Sequence, residues 1–338
     1  MTSLRQRLVL TTLVFGAVAV AAVLLAPLVG STRISLARAF DRSIPFTDNA
    51  DAQIFFVARM PRVLAGVVVG AALATAGTIL QALFRNPLAA PETMGVSAGA
   101  SLGATLAIFF DVSTAFGPYS AVALASLGGA LGATAVVYLL ASAPRRPMST
   151  AVLLLAGVSL NAFISGLIIF VQYMSDYTQT FRVMRWLVGD LDVGSFGPVW
   201  SAALLLAVVT ILVGPLASTL NVLTLGGAAA ATRGVNVDRA QRWAFFTASL
   251  ATSTAVSLAG PVAFIGIVVP HLVRLMVGVD HRVVLPAAAL FGAAFLIVCD
   301  LIARTIIAPV ELPVGIVTAV IGGPFFLWLL VRKSSLHS

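Results

Sequence analysis

Few residues in this chain could carry out reactive chemistry, and their surroundings argue against most of it. Gly95-Val96-Ser97-Ala98-Gly99 fits the G-x-S-x-G string of a nucleophilic serine. Such a serine needs a sharp strand-to-helix turn and a histidine partner. Here the flanks are apolar, with glycines at helical spacing, so the string reads as helix packing. His271 is the sole histidine near an apolar run, and no HExxH pattern joins it to His281 or His337. A phosphate-binding loop needs Gly-Lys-Ser/Thr. The only lysine, Lys333, follows Arg332 near the end of the sequence, so the chain holds no ATP site of that kind. Cys299 stands alone and cannot form an internal disulfide. Of the twelve acidic residues, only Asp300 lies well inside an apolar run. Arg304 follows it at i+4, which favours a helix-surface ion pair over a proton relay.

These residues are spread through 338 residues that are 60% hydrophobic and 9% charged, with mean hydropathy +1.06. Soluble domains carry about 25% charged residues. The chain therefore reads as all-α and membrane-embedded. A bilayer core of about 30 Å needs about 20 apolar residues in helix. Ten runs fit: 8–30, 63–84, 93–110, 119–143, 151–174, 198–220, 243–260, 262–277, 283–303 and 313–331. The first exceeds the roughly 7–15 apolar residues of a signal peptide and lacks a clear cleavage site, so it is expected to remain as a span. The eighth is short and leaves open a re-entrant segment. Small residues recur at four-residue steps (Gly66, Gly70, Ala74; Gly95, Gly99, Gly103; Gly128, Gly132), which lets helices approach closely in lipid. One compact bundle over residues 1–338, with no soluble domain, is the expected organisation.

Nineteen of the twenty basic residues are arginine, and the net charge is +8. They are scattered between apolar runs, so nucleic acid is not an expected partner. With both termini inside, twelve basic residues fall inside and eight outside, which favours that orientation. The longest polar interior stretch is Asn221 to Arg242. Gly226 and Gly227 open it, a short helix follows over 228–232, Gly234 stops that helix, and Asn236 is placed to cap a second short one. Two short helices lying outside the bilayer between spans would make a docking surface. Two longer outside stretches, about 31–62 and 175–197, carry Tyr177 and Trp186 at interface depth, with Tyr173 just before the second.

Four strings together resemble one family: 59–104 (RMPRVLAGVVVGAALATAGTILQALFRNPLAAPETMGVSAGASLGA), 153–163 (LLLAGVSLNAF), 260–286 (GPVAFIGIVVPHLVRLMVGVDHRVVLP) and 300–330 (DLIARTIIAPVELPVGIVTAVIGGPFFLWLL). They are similar, in order and spacing, to the FecCD-type permeases of type II ABC importers, the iron–siderophore, haem and cobalamin class. The resemblance implies ten helices per subunit, two subunits around a central pathway, and a separate ATPase that binds ATP and Mg, with no cofactor in this chain.

Residue by residue, the resemblance implies three sites. Arg59, Arg62 and Arg304 match outer arginines that grip acidic residues on a substrate-binding protein. Arg85-Asn86-Pro87-Leu88 resembles an inner gate, of which Asn86, Pro87 and Leu88 form the turn. Ser149 and Thr150, after the basic turn Arg145-Arg146, resemble its second element; Ala151 follows where some relatives carry another hydroxyl. The 221–242 stretch matches the coupling helices that enter a cleft of the ATPase, with contact expected through Ala229, Ala230, Arg233, Gly234 and Val235. Many relatives have acidic residues there, whereas this chain has Gly227-Ala228-Ala229. The implied activity is import of a ferric siderophore across a bacterial cytoplasmic membrane by a multi-pass permease in contact with lipid, a second permease and the ATPase. Cobalamin or haem is the alternative cargo. A secondary carrier and an intramembrane serine protease are the readings from other classes.

Overall fold

Backbone hydrogen bonding cannot be left unmet in lipid, so a chain this apolar must satisfy it within helices. A computed structural model of the protein describes residues 3–112, 120–142 and 149–334; these form helices joined by turns, with no strand among them. The basic turn Arg145-Arg146 and the side chains of Arg332 and Lys333 lie outside what is described.

Helix α1 (Leu4–Leu25) is capped by Ser3, whose hydroxyl accepts from the Gln6 N–H. Short helices α2 (Leu36–Ala39) and α3 (Ala50–Gln53) and a π-turn (Ile54–Arg59) fill the first long polar stretch and lead into α4 (Met60–Leu83). Nearly every residue of α4 is buried, because it is apolar on all sides and packs on α12, α13 and α14. The chain then turns back through 84–95 to α5 (Val96–Phe109), followed by α6 (Ala121–Ala141) and α7 (Thr150–Met174). Amphipathic α8 (Tyr177–Val188) precedes α9 (Phe196–Val213), α10 (Leu216–Leu223) and α11 (Gly227–Ala231). Long helices α12 (Val237–Ala259), α13 (Ile265–Val277), α14 (His281–Thr305) and α15 (Val314–Ser334) complete the chain.

Contacts fix which helix ends lie together. Arg7 donates to the Val277 carbonyl at 2.6 Å, so the start of α1 and the end of α13 share one end of the bundle with α10 and α11. We call this the elbow end. At the far end, Asp190 N–H donates to the Ala259 carbonyl, and Arg182 pairs with Asp111. Among the described residues, the chain passes between these ends ten times, and six helices are long and apolar enough to cross a membrane outright. The eighth traversal joins an extended 260–264 to the 13-residue α13, and Phe264 takes a positive φ of 68° where they meet. That segment reaches from Trp186 at the far end to Arg7 at the elbow end, so it runs between the two ends of the bundle.

Three expectations need correction. The run 198–220 is not one span: it breaks at Gly214-Pro215 into α9 and α10, because proline lacks the donor that would continue the helix. The helix capped by Asn236 is not short; it is the start of α12. The small-residue stripe on α6 is off by one. Gly128 and Gly132 meet nothing, whereas a Cβ at Gly129 would collide with the Gly99 carbonyl on α5. Gly70, against the Gly292 carbonyl, and Gly103, against Ala125, are close contacts of the kind expected.

Candidate functional site at the two ends of the bundle

At the far end, burying charge in an apolar medium demands a partner for every group. Arg62, near the start of α4, donates through Nε to Asp300 Oδ1 (2.8 Å) and through Nη1 to Glu311 Oε2 (2.7 Å), and its Nη2 lies 3.8 Å from Asp190 Oδ1. Arg304 sits one turn beyond Asp300 on α14, its Nε 3.0 Å from Asp300 Oδ2. Arg59 donates to the carbonyls of Pro27 (2.8 Å) and Thr32. The network therefore joins α4, α14, the loop after α1, the loop after α8 and the loop before α15. Arg59, Arg62 and Arg304 are only 5%, 7% and 2% exposed in the chain. This corrects the expectation that they face outward, and it corrects the helix-surface placement of the Asp300–Arg304 pair, which is internal. Guanidiniums that do reach the surface there include Arg182, paired with Asp111 (3.0 Å), and Arg185, near Asp190 and Asp192 (3.4 and 3.6 Å). A cavity of about 660 Å³ opens beside them, with Trp186 in its wall.

The partners Asp190 and Glu311 were missed from sequence. Their only signal is that both flank apolar runs on the side where the outer arginines were expected. Glu92 was missed as well. It lies on a 3-10 turn (Pro91–Met94) with Oε2 buried and unpartnered, and its carbonyl accepts from Asn161 Nδ2 (2.6 Å) in the middle of α7.

At the elbow end, 216–236 forms a compact knuckle. Gly226 N–H donates to the Leu223 carbonyl (3.0 Å), α11 makes little more than one turn, and Gly234 reverses the chain with φ 79°. Only a residue without a Cβ takes that conformation readily. Val235 N–H then donates to the Ala230 carbonyl (3.1 Å), closing the knuckle on itself. Arg233 and Gly234 are exposed, and Ala229 and Val235 are half-buried. Ala230 is fully buried, so it anchors the knuckle rather than offering contact, a correction to the expected contact set. Leu225, 57% exposed, is an apolar residue on the knuckle surface that the sequence reading passed over. Alongside, a cleft of about 420 Å³ runs between α10 and α12, lined by Thr219, Gly234, Arg239 and Trp243.

The turn expected as a gate lies at this end too. Asn86 Oδ1 accepts from the Leu88 N–H (3.0 Å), which holds Asn86-Pro87-Leu88 as a tight turn after Arg85, itself at φ 49°. Ser149 caps α7, its hydroxyl accepting from the Val152 N–H (3.3 Å), and Thr150 is the first residue of that helix. Ala89 and Leu153, just beyond these two elements, share one apolar core cluster with Leu83 and Met94. The knuckle is tied to α14 by Asn221. Asp280, the cap of α14, is held well below the usual carboxylate range by hydrogen bonds from the Arg282 side chain and from Asn221.

The arrangement offers no reactive centre. Ser97 begins α5 after a 3-10 turn rather than a strand, and no cluster of metal-ligating side chains occurs among the described residues. What it offers is a membrane-spanning bundle with distinct surfaces at its two ends.

The FecCD transport family model matches residues 18–332. The chain is 38% identical over 294 residues to the hemin transport system permease protein HmuU of Yersinia pestis, covering 86% of this chain and 87% of that one. It is 40% identical over 272 residues to the cobalamin import system permease protein BtuC of Halobacterium salinarum, covering 80% and 72%. Its fold is similar to a solved structure described as an inward-facing conformation of an ABC transporter assigned to the metal-chelate type. The TM-score is 0.82 at 28% identity, over 95% of this chain and 98% of that one. An all-helical, multi-pass bundle without an ATP site, matched along nearly its whole length, is thus placed: the chain belongs to the FecCD transport family, as a permease subunit of the type II ABC importers, and hydrolysis belongs to a separate ATPase subunit.

Proposed function

We propose that this permease imports a ferric siderophore across a bacterial cytoplasmic membrane, with both termini and the elbow on the cytoplasmic side. A substrate-binding protein delivers the chelate to the far end, and closure of the paired ATPase subunits pushes the 221–242 elbow. The single observation that carries the coupling role is the knuckle itself. It is a turn of short helix set between α10 and α12 at the elbow end, with an exposed arginine at its tip, Arg233 beside Gly234. Residues 1–338 act as one permease domain in this reading.

A second permease, identical or paralogous, completes the pathway. Support comes from α7, which is largely exposed and presents Ser159, Ala162, Ser165 and Gly166 outward. Small and mildly polar side chains suit a helix-lined passage with little fixed charge better than they suit a lipid face. Docking of the binding protein is proposed to involve the far-end arginines Arg59, Arg62 and Arg304 through their network, with Arg185 as its exposed member. The gate is proposed at Asn86, Pro87, Leu88, Ser149 and Thr150. Haem or cobalamin is the second reading for the cargo, favoured by the relatives HmuU and BtuC.

Co-purification with the ATPase tests the coupling role. Arg233→Glu with Gly234→Val is expected to abolish assembly while the permease itself remains folded; intact assembly and unchanged transport would overturn it. Cargo is tested by uptake of radio-iron as a ferric siderophore into cells carrying the full importer. Competition by unlabelled siderophore but not by haemin or cobalamin is expected, and the reverse pattern would move the assignment.

A further inference from the structure

The elbow is joined to the bundle by polar contacts concentrated on one side chain. Asn221, in the last turn of α10, accepts through Oδ1 from the His281 N–H (2.8 Å), and the same oxygen lies 2.8 Å from His281 Nδ1. Its Nδ2 donates to Asp280 Oδ1 (2.7 Å). These partners are 59 and 60 residues away in sequence, so the bonds link segments that the chain itself does not hold together. Asp280 is the N-cap of α14, accepting from the Arg282 N–H (3.0 Å) and from its guanidinium (2.7 Å).

From that cap, α14 runs unbroken for 25 residues, about 37 Å at 1.5 Å per residue. Midway, Gly292 and Gly70 bring α14 and α4 so close that a Cβ on either would strike the other's backbone. At the far end, Arg62 of α4 holds Asp300 of α14. The two helices therefore form a closely packed pair, fastened to each other at two levels, with Pro286 near the cap of α14. The remaining contacts of α10 are made by apolar side chains such as Leu216, Leu220 and Leu223. Apolar packing is non-directional and tolerates sliding, whereas an amide with three polar contacts does not move without breaking them.

We infer that Asn221 is a positioning residue that transmits displacement of the elbow to the α4–α14 pair, and through it to the Arg62–Asp300–Glu311 network at the opposite end. The inference rests on the coupling role proposed for the elbow.

The test uses the permease–ATPase complex in proteoliposomes, with binding protein and whichever of a radio-iron ferric siderophore, haemin or cobalamin the wild type imports. The quantity read is uptake per ATP hydrolysed, alongside thermal stability. Asn221→Asp sets two carboxylates face to face. Asn221→Asp combined with Asp280→Asn exchanges amide and carboxylate and restores a donor–acceptor pair. The single variant is expected to assemble but to lose about tenfold in uptake per ATP, a size in keeping with residues along coupling networks. The exchange variant is expected to recover most of that loss. An unchanged ratio in the single variant, or a loss that the exchange does not recover, overturns the inference. If Asn221→Asp does not fold, Asn221→Ala is read against the exchange variant by the same criteria. Arg233→Glu separates the two readings. If it leaves assembly intact, the coupling role of the elbow falls. If it abolishes assembly while Asn221→Asp leaves the ratio unchanged, only the role of Asn221 falls.

Discussion

At the far end of the bundle, Arg59, Arg62 and Arg304 are buried and answered by carboxylates or carbonyls drawn from distant parts of the chain. At the elbow end, Arg233, Arg239 and Arg242 stand exposed, and the only acids there are Asp238 and Asp280. Glu92 lies inside the bundle, and the other nine of the twelve acids gather at the far end. One residue type thus does two kinds of work. Where it is enclosed with its counter-charges, arginine is a fastening between helices, and its planar fork suits several acceptors at once. Where counter-charges are scarce, it is left for headgroups or a partner, and it biases orientation.

The comparison breaks most sharply at Asp300. Asp300→Ala leaves Arg62 without its Nε acceptor and Arg304 without its carboxylate, both buried. A loss of about 3–5 kcal/mol of stability is expected, as for other buried pairs cut on one side. Thermal unfolding in detergent measures it, and a change no larger than a surface substitution would mean that the network is not a fastening. Arg62→Lys is expected to cost less, about 2 kcal/mol, because a point charge cannot serve Asp300 and Glu311 in the same fork geometry. By contrast, Arg233→Glu at the elbow should leave the unfolding transition of the isolated permease within about 0.5 kcal/mol, since nothing buried depends on it.

The smallest effect concerns pH. Asp280 is held below its usual range in the folded chain, so its contribution is present above the unfolded pKa of about 3.9 and is lost as pH falls below it. Protection factors of the amides in residues 221–226, which correct for intrinsic exchange, should therefore lose the Asp280 contribution only below about pH 4, and that step should be absent in Asp280→Asn. A step of the same size in the variant would show that the contact depends on another group.

Much of the bundle was legible because lipid imposes a simple rule: apolar runs of sufficient length become helices, and punctuation sits between them. The start of α7 at Thr150 and of α15 at Val314 fall within a residue of the predicted 151 and 313. Glycine closeness was legible as a spacing but not as a face. Gly128 and Gly129 are adjacent in sequence and about 100° apart around the helix, and only packing tells which one meets α5. The knuckle was legible from Gly226, Gly234 and Asn236 because turns and caps are local. That Ala230 is buried beneath it was not, since burial depends on what α10 and α12 place over it.

By itself, then, the sequence determined a helical membrane body with no ATP site of the phosphate-loop kind, an elbow between Asn221 and Arg242, and its likeness to one transport family. Composition, run length and local turn chemistry are properties of neighbouring residues. Only the tertiary structure decided that Arg62 meets Asp300 across 238 positions, that Asn221 meets His281 across 60, and that the outer arginines turn inward. Electrostatic satisfaction in a medium without water is negotiated between segments far apart in the chain, and no local pattern records its outcome.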